Sequence, residues 1–170
     1  SGIKSIEAIK GRSIICIGMA YSQHAIDSIN VLVDGVVDKG RWNIYARAYR
    51  EINERLDALA AKIANRCEGM SVAATLGGLV GKVAHVKEYY PLTISHRVVA
   101  ENAGLGWRGR NELIVNERYG CAIRFASIIT ELPLPHGRRL EPRCGSCSAC
   151  LEACGFLKNK EGLADYRENC

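Results

Sequence analysis

The residues with the most chemistry in this chain lie close together in sequence. Cys144, Cys147, Cys150 and Cys154 form a C-x2-C-x2-C-x3-C run and Cys170 follows, so that five of the eight cysteines fall between positions 144 and 170. The spacing is that of bacterial ferredoxins, in which the first three thiolates of such a run hold one [4Fe–4S] cluster and the fourth ligates the other. Three thiolates two residues apart wrap a short loop around three corners of a cluster. The small residues Gly145, Ser146 and Ala149 leave room there for backbone amides to approach the sulfides. The fourth corner must come from elsewhere. Zinc is the competing reading, because four cysteines can close a tetrahedral site, but zinc sites usually present two separated C-x2-4-C knuckles. Two departures from the ferredoxin pattern stand out. Gly155 occupies the place of its proline, and no further C-x2-C motif follows, which leaves fewer cysteines than two complete clusters require.

The remaining reactive side chains are scattered. Cys16 sits in an apolar run and Cys67 on an apolar helix stripe, and both read as buried, inert thiols; Cys121 stands alone. His24, His85 and His136 have no companions at metal-ligand spacing and read as surface or core residues.

The elements that must position the cysteines follow from periodicity. Residues 13–20 (SIICIGMA) are a continuous apolar run, as in a buried strand. After turn signals at Asp34-Gly35 and Lys39-Gly40, residues 44–67 carry Ile44, Ala48, Ile52, Leu56, Leu59, Ile63 and Cys67 three or four apart, which predicts a long amphipathic helix. Its other face, with Arg47, Arg50, Glu51, Glu54, Arg55 and Asp57, is solvated. Residues 71–76 read as a short strand. Gly77, Gly78 and Gly81 then form a loop that fits neither the dinucleotide nor the P-loop pattern. A short helix over 95–105 starts at an N-cap, Ser95, and ends at Gly104 and Gly106. Two strands follow at 112–115 and 122–130, around a turn at 116–120. The expected fold is α+β (α/β-like): a mixed sheet from the strands near 14, 72, 112 and 123, with the long helix flanking it. Pro133, Pro135 and Pro142 mark a linker and a boundary near 140. It separates an αβ body for cofactor or substrate, 1–140, from a ferredoxin-like segment, 141–170.

Composition bounds the alternatives. With 170 residues, 48% apolar and 24% charged, the chain has the balance of a globular protein of one domain with an appendage, and disorder is excluded as its default state. Its longest apolar runs fall far below the ~20 residues needed to cross a bilayer, so no membrane partner is expected. The first residues lack the three regions of a secretory signal, which predicts a cytoplasmic protein. A net charge of +5 permits acidic partners without selecting one.

Residues 100–115 (AENAGLGWRGRNELIV), 117–120 (ERYG), 130–135 (TELPLP) and the cysteine run together resemble the epoxyqueuosine reductase family and its shorter iron–sulfur relatives, over roughly residues 12–170. The resemblance implies a cobalamin-binding αβ domain, similar to that of reductive dehalogenases, followed by a two-cluster ferredoxin module that feeds electrons to the cobalt. It implies a modified tRNA wobble base as substrate. Under it, Cys144, Cys147 and Cys150 fall on first-cluster ligands, and Cys154 and Cys170 on second-cluster ligands. The ligand shortfall then means either that the chain is part of a longer protein, the favoured reading, or that one cluster is completed by Cys154 or Cys170.

The family's aspartate, the proposed proton donor, lies seventeen residues before the motif tryptophan, where this sequence has Tyr90. A tyrosine serves as the donor in the related dehalogenases, but a phenol of pKa ~10 needs a polarising neighbour such as an arginine; packing or lining is the blander role. His96, in the Ile94-Ser95-His96-Arg97 stretch, resembles the shorter branch of the group. Near a helix N-terminus it would be held neutral, as a ligand or hydrogen-bond donor, or would simply be a capped surface histidine. His96, Arg97, Gly104, Gly106, Trp107 and Gly109 are the implied cofactor-binding positions, the glycines letting backbone approach either a flat cofactor or the adjoining strand. Between positions 97 and 143 there are eight arginines, five glutamates and no lysine, suited to tRNA phosphates, corrin side chains or the charge of a cluster. No aromatic stacking platform is visible beside them, which lowers the RNA reading.

The expected function is an iron–sulfur oxidoreductase. A [4Fe–4S] cluster, supplied by an electron-donor protein, would relay electrons to a cofactor or substrate in the αβ body. Cobalamin is implied by resemblance only, and the substrate is a small molecule or tRNA. The alternatives are an electron-carrier module without substrate chemistry and a zinc-stabilised structural domain. Nothing in the sequence fixes the oligomeric state.

Overall fold

A computed structural model describes residues 11–29, 32–33, 36–75 and 94–158. The apolar run is strand β1 (Ser13–Ala20), followed by a short helix α1 (Gln23–Asp27) that the hydropathy pattern did not suggest. The Ser22 hydroxyl caps α1 by accepting from the Ala25 N–H. A two-residue pair, β2 (Leu32–Val33) and β3 (Val36–Val37), leads into the long helix α2 (Lys39–Arg66). The Asp38 carboxylate caps α2, accepting from the amides of Gly40 at 2.9 Å and Arg41 at 3.1 Å, and so satisfies two of the first-turn donors that a helix leaves open.

α2 ends at Cys67. Glu68 then takes the left-handed conformation, φ 48°, and turns the chain back into β4 (Met70–Val72). Helix α3 (His96–Asn102), the hairpin of β5 (Trp107–Arg108) and β6 (Ile114–Val115), and strand β7 (Ile123–Thr130) complete the body. Two short helices follow, α4 (Ala149–Ala153) and α5 (Gly155–Lys158).

The sheet corrects one expectation. Among the described residues it has the order β1-β7-β4, and both pairings are antiparallel, so it is not mixed. The strand expected at 112–115 is not part of it. Glu112 has φ 64°, which no continuing strand allows, and only Ile114 and Val115 remain extended, paired with β5 in a separate hairpin. The α+β character stands; among the described residues no strand pairing is parallel.

Strand alternation gives the sheet two apolar faces. On one, Ile15, Ile17 and Met19 of β1 and Ala126 and Ile128 of β7 pack against Ile52, Leu56, Ala60 and Ala64 of α2. On the other, Cys16, Ile123 and Phe125 meet Ala100 of α3, Leu105 and Ile114. β7 is central and its last six residues are buried. The inward stripe of α2 is rotated from the expected one. Ala60 and Ala64 face the sheet, because small side chains let the helix approach, whereas Leu59 is 42% exposed. Fully burying Leu56 and Ile128 contributes about 1.5–3 kcal/mol each.

Candidate metal centre

The cysteine run begins where the linker ends. The Cys147 amide donates to the Cys144 carbonyl at 2.9 Å, closing a tight turn in which Gly145 has φ 52° and open space where a side chain would stand. Cys150 lies in α4, and Cys154 follows it as its C-terminal cap. All four thiols are free; Cys147 is exposed and the other three are half-buried. Ser148 donates its hydroxyl to the Glu152 carboxylate across α4. Cys170 and Tyr90 lie outside the described residues, as do Gly77, Gly78, Gly81 and His85.

Three arginine contacts join this segment to the body. Arg110 donates to the Gly145 carbonyl at 2.7 Å, and Arg143, adjacent to Cys144, pairs with Glu117 while its guanidinium lies 5.9 Å from the centre of the Trp107 ring. Trp107 is itself 8% exposed, and its indole N–H is buried with no acceptor among the described residues. Thiolates and sulfides are such acceptors, and hydrogen bonds to them tune a cluster's potential.

The donor set therefore fits an iron–sulfur cluster in type and spacing: free thiols on a turn and the short helix after it, with Arg110 and Arg143 tying that turn to the body. Among the described residues no three Cys, His, Asp or Glu side chains surround one point that a single ion could take. A cluster does not require that, because each of its thiolates holds a different iron.

The positions implied for a flat cofactor are used otherwise. Gly104, at φ 77°, has the Arg138 carbonyl where a Cβ would stand, and Gly106 has the Val115 carbonyl there. A Cβ on Gly109 would meet Asn111 Oδ1 and Val115 Cγ2 at 2.8 Å. The close approach that these glycines permit is thus to the chain's own backbone and side chains. Arg97 donates to the Glu112 carbonyl at 2.9 Å, fixing α3 to the β5–β6 turn. These residues form no open cradle for a corrin ring.

His96 is likewise engaged. Its Nε2 lies 2.7 Å from the Ala73 carbonyl and its Nδ1 2.8 Å from Ser127 Oγ. A carbonyl only accepts, so Nε2 carries the proton and Nδ1 accepts from the serine hydroxyl. Burial, rather than the helix N-terminus, lowers the imidazole pKa, against a smaller opposing effect of the Ala73 carbonyl, and favours the neutral ring. Its role here is to tie the start of α3 to β7 and to the end of β4. Cys16, opposite Ser127 across the β1–β7 ladder, has its thiol pushed by burial up to about 11, partly offset by the Ser127 hydroxyl, which disfavours the thiolate. An open groove of about 880 Å³ runs along β1 and α3, lined by Ile14, Cys16, Val98, Ala103, Leu134 and His136 among others. That volume is within the range of small-molecule sites.

One group escaped the reading of the sequence. Trp42, Tyr45 and Tyr49 line up along α2 and meet Tyr21, which follows β1. Arg124 of β7 covers the far ring, 4.5 Å from the Tyr49 centroid. The 3- and 4-residue spacing of the helix aromatics was the available signal.

No family model matches the chain. It is 29% identical to the epoxyqueuosine reductase of Bacillus subtilis (strain 168) over 164 residues, 93% of this chain and 38% of that enzyme. Over shorter stretches it is 36% identical to the Aliivibrio fischeri enzyme, across 77 residues and 20% of its length, and 41% identical to the Salmonella typhimurium enzyme, across 61 residues and 16%. Among solved structures, epoxyqueuosine reductase with an epoxyqueuosine-modified tRNA-Tyr stem loop superposes with a TM-score of 0.51 at 24% identity, covering 86% of this chain and 36% of that one. The Bacillus subtilis enzyme with its catalytic loop swung out of the active site gives 0.51 at 23%, over 89% and 37%. The chain is therefore epoxyqueuosine reductase-like in sequence and in fold, and it spans a little over a third of the length of the Bacillus subtilis enzyme.

Proposed function

We propose that the chain is an iron–sulfur redox protein similar to epoxyqueuosine reductase. Cys144, Cys147 and Cys150 hold a [4Fe–4S] cluster with a fourth ligand from Cys154 or Cys170, and electrons pass from a donor protein to an acceptor bound by the αβ body. The observation that carries this reading is the ferredoxin-type run of free thiols, anchored to the body by Arg110 on the Gly145 carbonyl. When bound, such a cluster supplies one-electron transfer. The chain's own residues hold it: Gly145 opens the turn, the two arginines offset the charge of the thiolates, and Trp107 has an N–H to donate.

The acceptor lies close by on this reading. The groove along β1 reaches Gly137, and six residues separate Gly137 from Cys144, a span of at most ~25 Å between their Cα atoms. Among the described residues no helix is long and apolar enough to cross a membrane. The boundary near 140 divides the body from the cluster-holding segment, and RNA is the substrate class, as supported by the solved complex of epoxyqueuosine reductase with a tRNA stem loop.

A second reading, an electron carrier without substrate chemistry, is favoured by the closed glycines, which leave no cradle at the positions implied for cobalamin. One experiment separates the readings: iron, sulfide and zinc per chain, with a visible spectrum, on protein purified anaerobically after expression with cobalamin available. Iron and sulfide in equal amounts support the redox reading. Corrin bands in addition support the reductase over the carrier. Zinc without sulfide overturns both and leaves the structural domain.

A further inference from the structure

The aromatic ladder lies on the α2 side of the sheet, whereas α3 packs on the opposite side. Successive ring centroids are 5.5 Å apart for Tyr21 and Tyr45, 5.6 Å for Trp42 and Tyr45, and 6.4 Å for Tyr45 and Tyr49. These are stacking and tilted-pair separations. Arg124 completes the row: its Nε donates to Asn53 at 3.1 Å and its Nη2 to the Ala74 carbonyl at 3.2 Å, which holds the guanidinium 4.5 Å from the Tyr49 ring centroid.

Three features distinguish the row from the end of a core. Trp42 is 47% exposed, although a core-capping indole would be covered. The Tyr21 hydroxyl is buried and makes no hydrogen bond of good geometry, although Tyr45 stands close enough to add to the upward shift that burial gives its pKa. From Lys39 to Arg50, α2 carries four cations and no carboxylate. At about 100° per residue, Lys39 and Arg50 flank one side of the aromatic row and Arg41 the other, while Arg47 points away.

Aromatic faces bordered by cations match the chemistry of unpaired nucleotides, whose bases stack on rings while their phosphates meet Lys and Arg. We infer that Trp42, with the Tyr45, Tyr49 and Tyr21 rings behind it and Lys39, Arg41 and Arg50 at its sides, is a docking platform for an unpaired base of an RNA loop. This deepens the proposed function, from which it takes only that RNA is the partner; it does not depend on the cluster. A base stacked on Trp42 continues the ladder by one ring, and the adjoining phosphates reach the flanking cations. A paired base offers no free face to stack, so the platform selects loops over duplexes.

The test is fluorescence anisotropy of a labelled RNA hairpin with a single-stranded loop, titrated with the chain. A blunt RNA duplex of equal charge and inorganic polyphosphate serve as competitors. The hairpin is expected to bind more tightly than the duplex. Trp42→Ala should weaken hairpin binding roughly 5- to 150-fold, the range for losing one base stack, while leaving duplex binding unchanged. Trp42→Phe should restore most of the loss. Because Trp42 is half-exposed, its replacement should leave the far-ultraviolet circular dichroism unaltered. Hairpin binding that is absent, or that is equal in Trp42→Ala and the native chain, overturns the inference. So does polyphosphate competing as well as the hairpin, which would reduce the face to charge alone. Iron-loaded protein that ignores RNA would sink the platform and leave the redox reading standing, and RNA binding by iron-free protein that never assembles a cluster would do the reverse.

Discussion

Between residues 11 and 130 the chain is organised by burial, with an antiparallel sheet covered on both faces and Leu56, Ala60, Ala126 and Ile128 fully enclosed. Between 141 and 158 it is organised by polar ties. α4 has no buried residue, and the segment meets the body through Arg110, Arg143 and Glu117. A core of the first kind stabilises itself. A segment of the second kind has little apolar contact among its described residues to set against the ordering of its backbone, at about 1–2 kcal/mol per residue, and under the proposed function the group held by its thiols would supply the rest. The contrast matches the proposed division of labour, in which a rigid body presents a site and a metal-organised segment supplies electrons.

That contrast is open to direct attack. Leu56→Ala should have the largest effect on the body, a loss of about 2–5 kcal/mol in urea unfolding monitored by circular dichroism, with iron per folded chain unchanged. A parallel loss of iron would show that the two regions fold as one. Gly106→Ala forces a methyl group onto the Val115 carbonyl and should cost about 1–3 kcal/mol in the same assay. Because β5 and β6 also support the cysteine segment, it should in addition alter the visible absorption of loaded protein; an unaltered spectrum would uncouple the hairpin from the metal site.

A smaller effect comes from pH. The imidazole of His96 has a lowered pKa in the folded chain, so the unfolded state binds the extra proton more readily. Stability from this residue is complete above the unfolded value of about 6.5 and is lost as pH falls below it. His96→Asn should flatten the difference in urea midpoint between neutral and mildly acidic pH relative to the native chain. An identical pH dependence in the two proteins would remove His96 from the account. Smallest for the body is Cys147→Ser, which should lower bound iron severely yet leave body stability within about 0.5 kcal/mol, since Cys147 is exposed and outside the core. Simultaneous loss of body stability would mean that the metal holds both regions.

What the sequence determined by itself was local. The run from Ser13 to Ala20 could be read as a strand, because eight successive residues with three isoleucines, a methionine and a cysteine suit a strand covered on both faces. Helix α2 was visible from its 3.6-residue period and the cysteine run from its spacing, because in each case the interacting residues are sequence neighbours. Tertiary structure alone decided the rest. Antiparallel order in the sheet depends on how β7 enters between β1 and β4, which no local period encodes. His96 reads as a ligand, a hydrogen-bond donor or a capped surface histidine until Ser127 and Ala73, 31 and 23 residues away, take both of its nitrogens. The glycines of the AGLGW block suit a flat cofactor or a packed turn equally well until Arg138 and Val115 fill the space above them. The aromatic platform draws Tyr21, Tyr49 and Arg124 from three distant segments, and only the closing of α2 onto the sheet makes them neighbours. Periodicity records which face of an element is apolar; it does not record which other element will cover that face, and the functional surfaces of this chain are made by that choice.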